Sequence, residues 1–185
     1  MGERLDRRKL YTRLVLKESL MNLLETKPIS KITVKEICML AEINRSTFYS
    51  HFANQYALLS KIEEDMIGDL YCYLEQFNSE EEKMTMKLLE YIETNQRAFQ
   101  ILLNENGESG FERRLKSITK QYMISHWLKG SFHQSESMYL STFVVSGAIH
   151  VVKDWLKNGM DVPKDEMAKL INRFIQNGLS YRNGK

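Results

Sequence analysis

The chain has 185 residues, with 26 Lys and Arg against 24 Asp and Glu, two prolines, nine glycines and two cysteines. This composition excludes a disordered or collagen-like chain and a disulfide-stapled one, while few strand punctuators beside abundant Leu, Lys and Glu predict an all-α protein. Charge is uneven: residues 1–55 hold ten Lys and Arg against six Asp and Glu, a net of +4, and the remainder is −2, as suits a protein that meets phosphates with one end.

In chain order, Asp6 is placed to cap a first helix to about Glu25, with Leu10, Leu14, Met21 and Leu24 on one stripe, broadened by Leu16, Leu20 and Leu23. Lys27, Pro28 and Ile29 break it. Thr33 then caps a short helix whose Val34, Ile37, Cys38 and Ala41 follow the spacing of a buried face. Glu42 and Ile43 make a tight turn, Asn44 caps a third helix with Phe48 and Phe52 on its inner side, and Asn54 opens a long helix to about Phe77. Five more helices are predicted near 81–94, 96–104, 109–129, 135–158 and 163–181, about nine in all. They are separated by the Gly- and Asn-rich 104–110 segment, by Gly130, and by Gly159 with Pro163.

The N-terminus is charged where a secretory leader would be apolar, and no run reaches the roughly 18 apolar residues of a membrane span. A cytoplasmic location is expected. Cys38 and Cys72 each lie in an apolar helical pattern and are expected to be buried thiols, with a redox role for Cys72 as the alternative. No metal is called for, because the three His residues outside the basic head lack ligand spacing, and no cofactor fingerprint is present. No nucleophile–base pair, phosphate loop or dinucleotide fingerprint supports an enzyme.

Residues 33–52, TVKEICMLAEINRSTFYSHF, form a helix, a short turn and a second helix, the layout of a DNA recognition element. With Phe48 and Phe52 turned inward, Arg45, Ser46, Thr47, Tyr49 and Ser50 are left near the outer face. Arg45 carries the guanidinium fork that suits guanine N7 and O6, or a phosphate. The stretch resembles the head of the tetracycline-repressor (TetR/AcrR) family, approximately T-V-x-x-I-A-x-x-A-G-V-S-x-G-T-F-Y-x-H-F-x-x-K-x-x-L-L, at Thr33, Val34, Ile37, Ala41, Thr47, Phe48, Tyr49, His51, Phe52, Leu58 and Leu59. The resemblance implies a three-helix head over 6–66 on a larger helical-bundle domain over 67–181 that binds ligand and dimerises. It also implies that Thr33, Thr47, Tyr49 and His51 mainly contact phosphate. The pattern departs at Glu42, where the family has glycine, at Asn44 for its serine cap, and at Gln55, where a lysine is common. Gln55 remains a candidate DNA contact without the charge, and Lys31 and Lys35 are placed to compensate.

In the body, Trp155 to Met160, reading WLKNGM, resembles C-terminal domains of TetR-like regulators of Firmicutes. Tyr122, Trp127, Phe143, His150 and Trp155 are the aromatic candidates for an effector pocket, with core packing as the other reading. Ser146, Gly147, Met167, Leu170, Ile171 and Phe174 are the candidates for a dimer interface. The function implied is a ligand-responsive homodimeric repressor that binds a palindromic double-stranded operator, with an effector of unknown identity. The rival is a TetR-like coactivator working through protein contacts.

Overall fold

A computed structural model describes residues 2–75, 81–103, 109–126 and 133–180. Among the described residues the protein is all-α: nine α-helices and a 3-10 turn, with no strand. The chain divides into two compact units, 1–66 and 67–185, with the boundary inside the fourth helix.

The first unit contains α1 (Gly2–Leu24), a 3-10 turn at Ile29–Lys31, α2 (Val34–Leu40), α3 (Arg45–Tyr49) and the start of α4 (Gln55–Glu75). Helix α1 starts ahead of the expected cap, so Asp6 lies within it. The buried side of α1 also differs from the expected stripe. Leu10 is 70% exposed and Leu14 is exposed, whereas Thr12, Leu16, Ser19 and Leu20 are buried. The buried Thr12 hydroxyl is satisfied within the helix, donating to Arg8 O at 2.9 Å. Leu16, Leu20, Ile32, Ile37, Phe48 and Leu58 form the fully buried core of this unit, and an ion pair from Lys17 to Asp65 ties α1 to α4.

The second unit contains the rest of α4, α5 (Glu81–Thr94), α6 (Gln96–Leu103), α7 (Gly110–His126), α8 (Gln134–Lys157) and α9 (Lys164–Ser180). Its core stacks Phe99 edge-on against Phe111 at 5.4 Å, within α7–α8 and α5–α9 pairings. The buried Glu112 carboxylate binds Lys116 at 2.8 Å and Lys153 at 2.9 Å, joining α7 to α8. Thr85 donates to Asn172 at 2.6 Å between α5 and α9. Helix α8 ends in a Schellman turn in which Gly159, at φ 73°, and Met160 return hydrogen bonds to Leu156 and Trp155. Cys38 is buried as expected, but Cys72 is exposed, on the side of α4 away from the buried Leu70.

Candidate nucleic-acid interface

The short α2–turn–α3 element is built from local hydrogen bonds that the sequence specifies. At its start, the Thr33 hydroxyl accepts the Glu36 N–H at 3.3 Å, while the Thr33 N–H and hydroxyl donate to the Glu36 carboxylate at 2.9 and 2.8 Å. Both orphan donors of a capping box are thus satisfied. Lys27 adds an ion pair to Glu36, and this ammonium, helped by Thr33, holds the carboxyl at about 2 instead of 4.5.

Helix α2 closes with a second Schellman turn. Glu42 sits at φ 53°, its N–H reaching Met39 O at 3.4 Å and the next N–H, from Ile43, reaching Cys38 O at 3.0 Å. Here the left-handed residue is a glutamate where glycine is the unstrained choice. Asn44 then caps α3, its side-chain oxygen accepting the Ser46 N–H at 3.0 Å.

The buried Phe48 anchors α3 from beneath, packed with Phe52 at 6.0 Å between ring centroids. Its anchoring leaves Arg45, Ser46, Tyr49 and Ser50 exposed and Thr47 half-buried on one short helix and its cap. Tyr49 meets the edge of Phe48 at 5.6 Å while 57% of it remains open. Ser46 Oγ bonds the Asn44 side chain at 3.2 Å and Ser50 Oγ donates to Thr47 O at 2.7 Å. Those two hydroxyls are therefore held by the helix, and Arg45 and Tyr49 reach furthest from it.

Gln55 opens α4 half-buried, behind the Asn54 cap whose side chain accepts the Ala57 N–H at 2.9 Å. His51 is half-buried; desolvation first, then the charges of Arg13 and Lys9, lower its pKa and so favour the neutral imidazole. Lys9 and Arg13 are the cations that sequence reading did not assign to this surface. Their spacing marks them only as members of a basic helix, and it takes the packing of α1 to bring them within electrostatic reach of His51.

In the second unit the expected effector residues do not assemble. Trp127 lies outside the described residues. Phe143 is 81% exposed, His150 is exposed with its Nδ1 at 2.8 Å from Ser146 O, and Trp155 is buried with its indole N–H donating to Val162 O at 2.7 Å. Among the described residues of the set, Tyr122 alone lines a cavity of about 260 Å³ enclosed mainly by aliphatic residues of α4 to α9, with Leu103 contributed by α6. The aromatics were grouped by residue type, whereas their helical phase turns Phe143 and His150 away from the core.

The expected dimer residues also divide. Met167 and Ile171 are buried within the unit, Ile171 in the cavity wall, so they serve the internal core. Leu170 and Phe174 point outward, Phe174 with 74% of its surface open. Ser146 is half-buried and Gly147 exposed, and a Cβ added at Gly147 would meet nothing within 4 Å.

Residues 79–177, more than half of the chain, match the family described as the transcriptional regulator C-terminal region of TetR-type proteins. The chain belongs to the TetR family of transcriptional regulators. Among relatives of this TetR protein is the dhaKLM operon transcriptional activator DhaS of Lactococcus lactis, 22% identical over 162 residues, or 85% of this chain and 86% of DhaS. Its fold is similar to that of a TetR transcriptional regulator from Streptococcus agalactiae 2603V, with a TM-score of 0.75 and 24% identity, covering 95% of this chain and 99% of that one. It is also similar to that of a solved dihydroxyacetone kinase operon activator DhaS, with a TM-score of 0.60 and 19% identity, covering 91% of this chain and 96% of that one. These named relatives are regulators of transcription rather than enzymes. No helix among the described residues is long and apolar enough to cross a membrane.

Proposed function

We propose that this TetR-family regulator binds a palindromic double-stranded operator as a homodimer and is released or retained by a small effector. The observation that carries the DNA reading is the α3 surface: Arg45 and Tyr49 project from a helix locked by Phe48, with Asn44 and Thr33 capping the two helices of the motif. In this reading Arg45 reads a base edge. Thr47, Tyr49, Ser50 and His51, with Ser46, Thr33 and Gln55 at the margins, fix register on phosphates. Thr33 contributes chiefly by setting the start of α2, since its hydroxyl and N–H are engaged with Glu36.

Support for the homodimer comes from exposed apolar residues on the outward sides of the two helices, Tyr139 and Phe143 with Gly147 on α8 and Leu170 and Phe174 on α9. A mid-helix glycine costs about 1 kcal/mol relative to alanine; among the described residues nothing packs against Gly147, and in this reading it lets a second copy approach closely. A palindrome requires two recognition helices about 34–36 Å apart, or a multiple of that. The effector site in this reading is the cavity of the second unit. The direction of regulation is set by where the operator lies, and the relative named an activator keeps activation, including coactivation through protein contacts, as the second reading.

The test is binding of the purified protein to its own upstream DNA across a salt series, with Arg45→Ala and Tyr49→Phe beside the wild type. The expected result is specific binding that weakens with salt and that Arg45→Ala reduces or relaxes. Absence of binding to any DNA pool would overturn the DNA-binding reading and favour coactivation.

A further inference from the structure

The cavity in residues 67–180 has an unequal distribution of polarity. Its wall is mainly Leu, Ile, Val and Met side chains with Ala148 and the half-buried Tyr122, and the two threonines that reach it have their hydroxyl hydrogens engaged, Thr85 with Asn172 at 2.6 Å and Thr119 with Leu115 O at 2.8 Å. Among the described lining residues one is charged: Glu75, exposed near the end of α4. Beside it the Tyr71 hydroxyl hydrogen-bonds the Glu75 carboxylate, which keeps that phenol protonated above its ordinary range. Among the described residues the mouth therefore offers carboxylate oxygen, an acceptor, and the interior offers mainly hydrocarbon.

Size follows by comparison. An aliphatic cavity of about 150 Å³ stays dry and takes up benzene, six heavy atoms, so about 260 Å³ accommodates on the order of ten. We infer that the ligand is an uncharged, mainly hydrocarbon molecule of about ten heavy atoms. Its one polar end is a hydrogen-bond donor held by Glu75, and Glu75 makes the site reject carboxylates of the same length. A ligand carboxylate would lose water and meet a like charge at the mouth, a repulsion worth about tenfold or more in affinity at partial exposure. This inference rests on the effector reading above for its consequence on DNA, but occupancy of the cavity is measurable by itself.

The experiment uses the full chain and two probes, 1-nonanol and nonanoate, titrated calorimetrically at pH 7.5 and followed in parallel by thermal unfolding. Wild type should bind 1-nonanol saturably, one per chain, with a raised Tm, and bind nonanoate at least tenfold more weakly. Glu75→Gln should keep nonanol affinity within threefold and shrink the gap to nonanoate below threefold. Val145→Phe, which fills the interior, should weaken nonanol at least tenfold; if that variant does not fold, Ala148→Leu serves the same purpose. Lack of saturable nonanol binding, equal binding of nonanoate by wild type, or a gap unchanged in Glu75→Gln would each overturn the inference. Operator affinity with and without nonanol is scored separately: binding that leaves DNA affinity unchanged sustains the site and defeats the effector reading.

Discussion

Replacing Glu42 by glycine should stabilise the protein. Glu42 occupies the left-handed position of the α2 Schellman turn at φ 53°, a conformation that costs an L-residue about 1–2 kcal/mol. Glycine removes that cost but loses about 0.5–1 kcal/mol more backbone entropy on folding, so the net gain is about 0.5–1 kcal/mol. For a chain of this size that is a rise in Tm of about 1–4 °C, readable by far-UV circular dichroism and checked by urea unfolding at constant m-value. Gly159 supplies the converse. It holds the same position after α8 at φ 73°, and an added Cβ would meet no atom within 4 Å, so Gly159→Ala should lose about 0.5–1 kcal/mol through backbone conformation alone. A Tm unchanged or lowered in Glu42→Gly, with Gly159→Ala behaving as expected, would refute the claim that Glu42 is strained. The same substitution removes an anionic charge next to α3, and at roughly 10 Å in water this is worth about a twofold gain in DNA affinity at low salt.

Arg45→Ala should cost about 1–3 kcal/mol of operator affinity if it reads a base, with discrimination relaxed at one position, whereas a mere phosphate contact would lower affinity evenly across sequences in a gel-shift series. His51, whose pKa burial and the cations Arg13 and Lys9 depress, should take up a proton more readily when phosphate arrives. Affinity should then rise as pH falls from about 7.5 to 5.5, and His51→Gln should flatten that profile. Glu36 and Glu112 have folded pKa values below their ordinary ones, Glu36 through Lys27 and Thr33, Glu112 because Lys116 and Lys153 outweigh its burial. Their stabilising effect is complete above the ordinary carboxylate range and lost as pH falls through the folded values, so the Tm should drop below about pH 5 and Glu36→Gln should blunt the fall toward pH 2. Lys153→Met leaves the buried Glu112 with one partner and should destabilise by about 2 kcal/mol in urea unfolding. Phe143→Glu combined with Phe174→Glu should shift sedimentation from dimer to monomer with the helical signal kept; a dimer that persists would refute the α8–α9 interface.

The helices were legible because their punctuation is local. Thr33, Asn44 and Asn54 act as caps in the structure as their side chains suggest, and Gly159 ends α8. Which residues of α3 face out was legible for the same reason, since the spacing of Phe48 and Phe52 fixes its inner side. What sequence could not give was helical phase where polar residues share the buried side: Thr12 and Ser19 face the core of the first unit while Leu10 and Leu14 do not. Aromatic identity misled in the same way, because Phe143 is as apolar as any core residue yet lies on the outer side of α8. The cavity was not legible because its aliphatic lining residues, spread over six helices, look like ordinary core until packing leaves a gap among them.

The two cysteines make the chain its own reporter. Burial pushes the Cys38 thiol up and encloses it, while Cys72 stands open on α4, so a maleimide spin label or fluorophore should attach to one position of the unmodified protein. In an assembly of two copies that gives a single matched pair of probes, and the distance between them becomes a ruler for the movements of α4 as operator or ligand is added, without altering any residue.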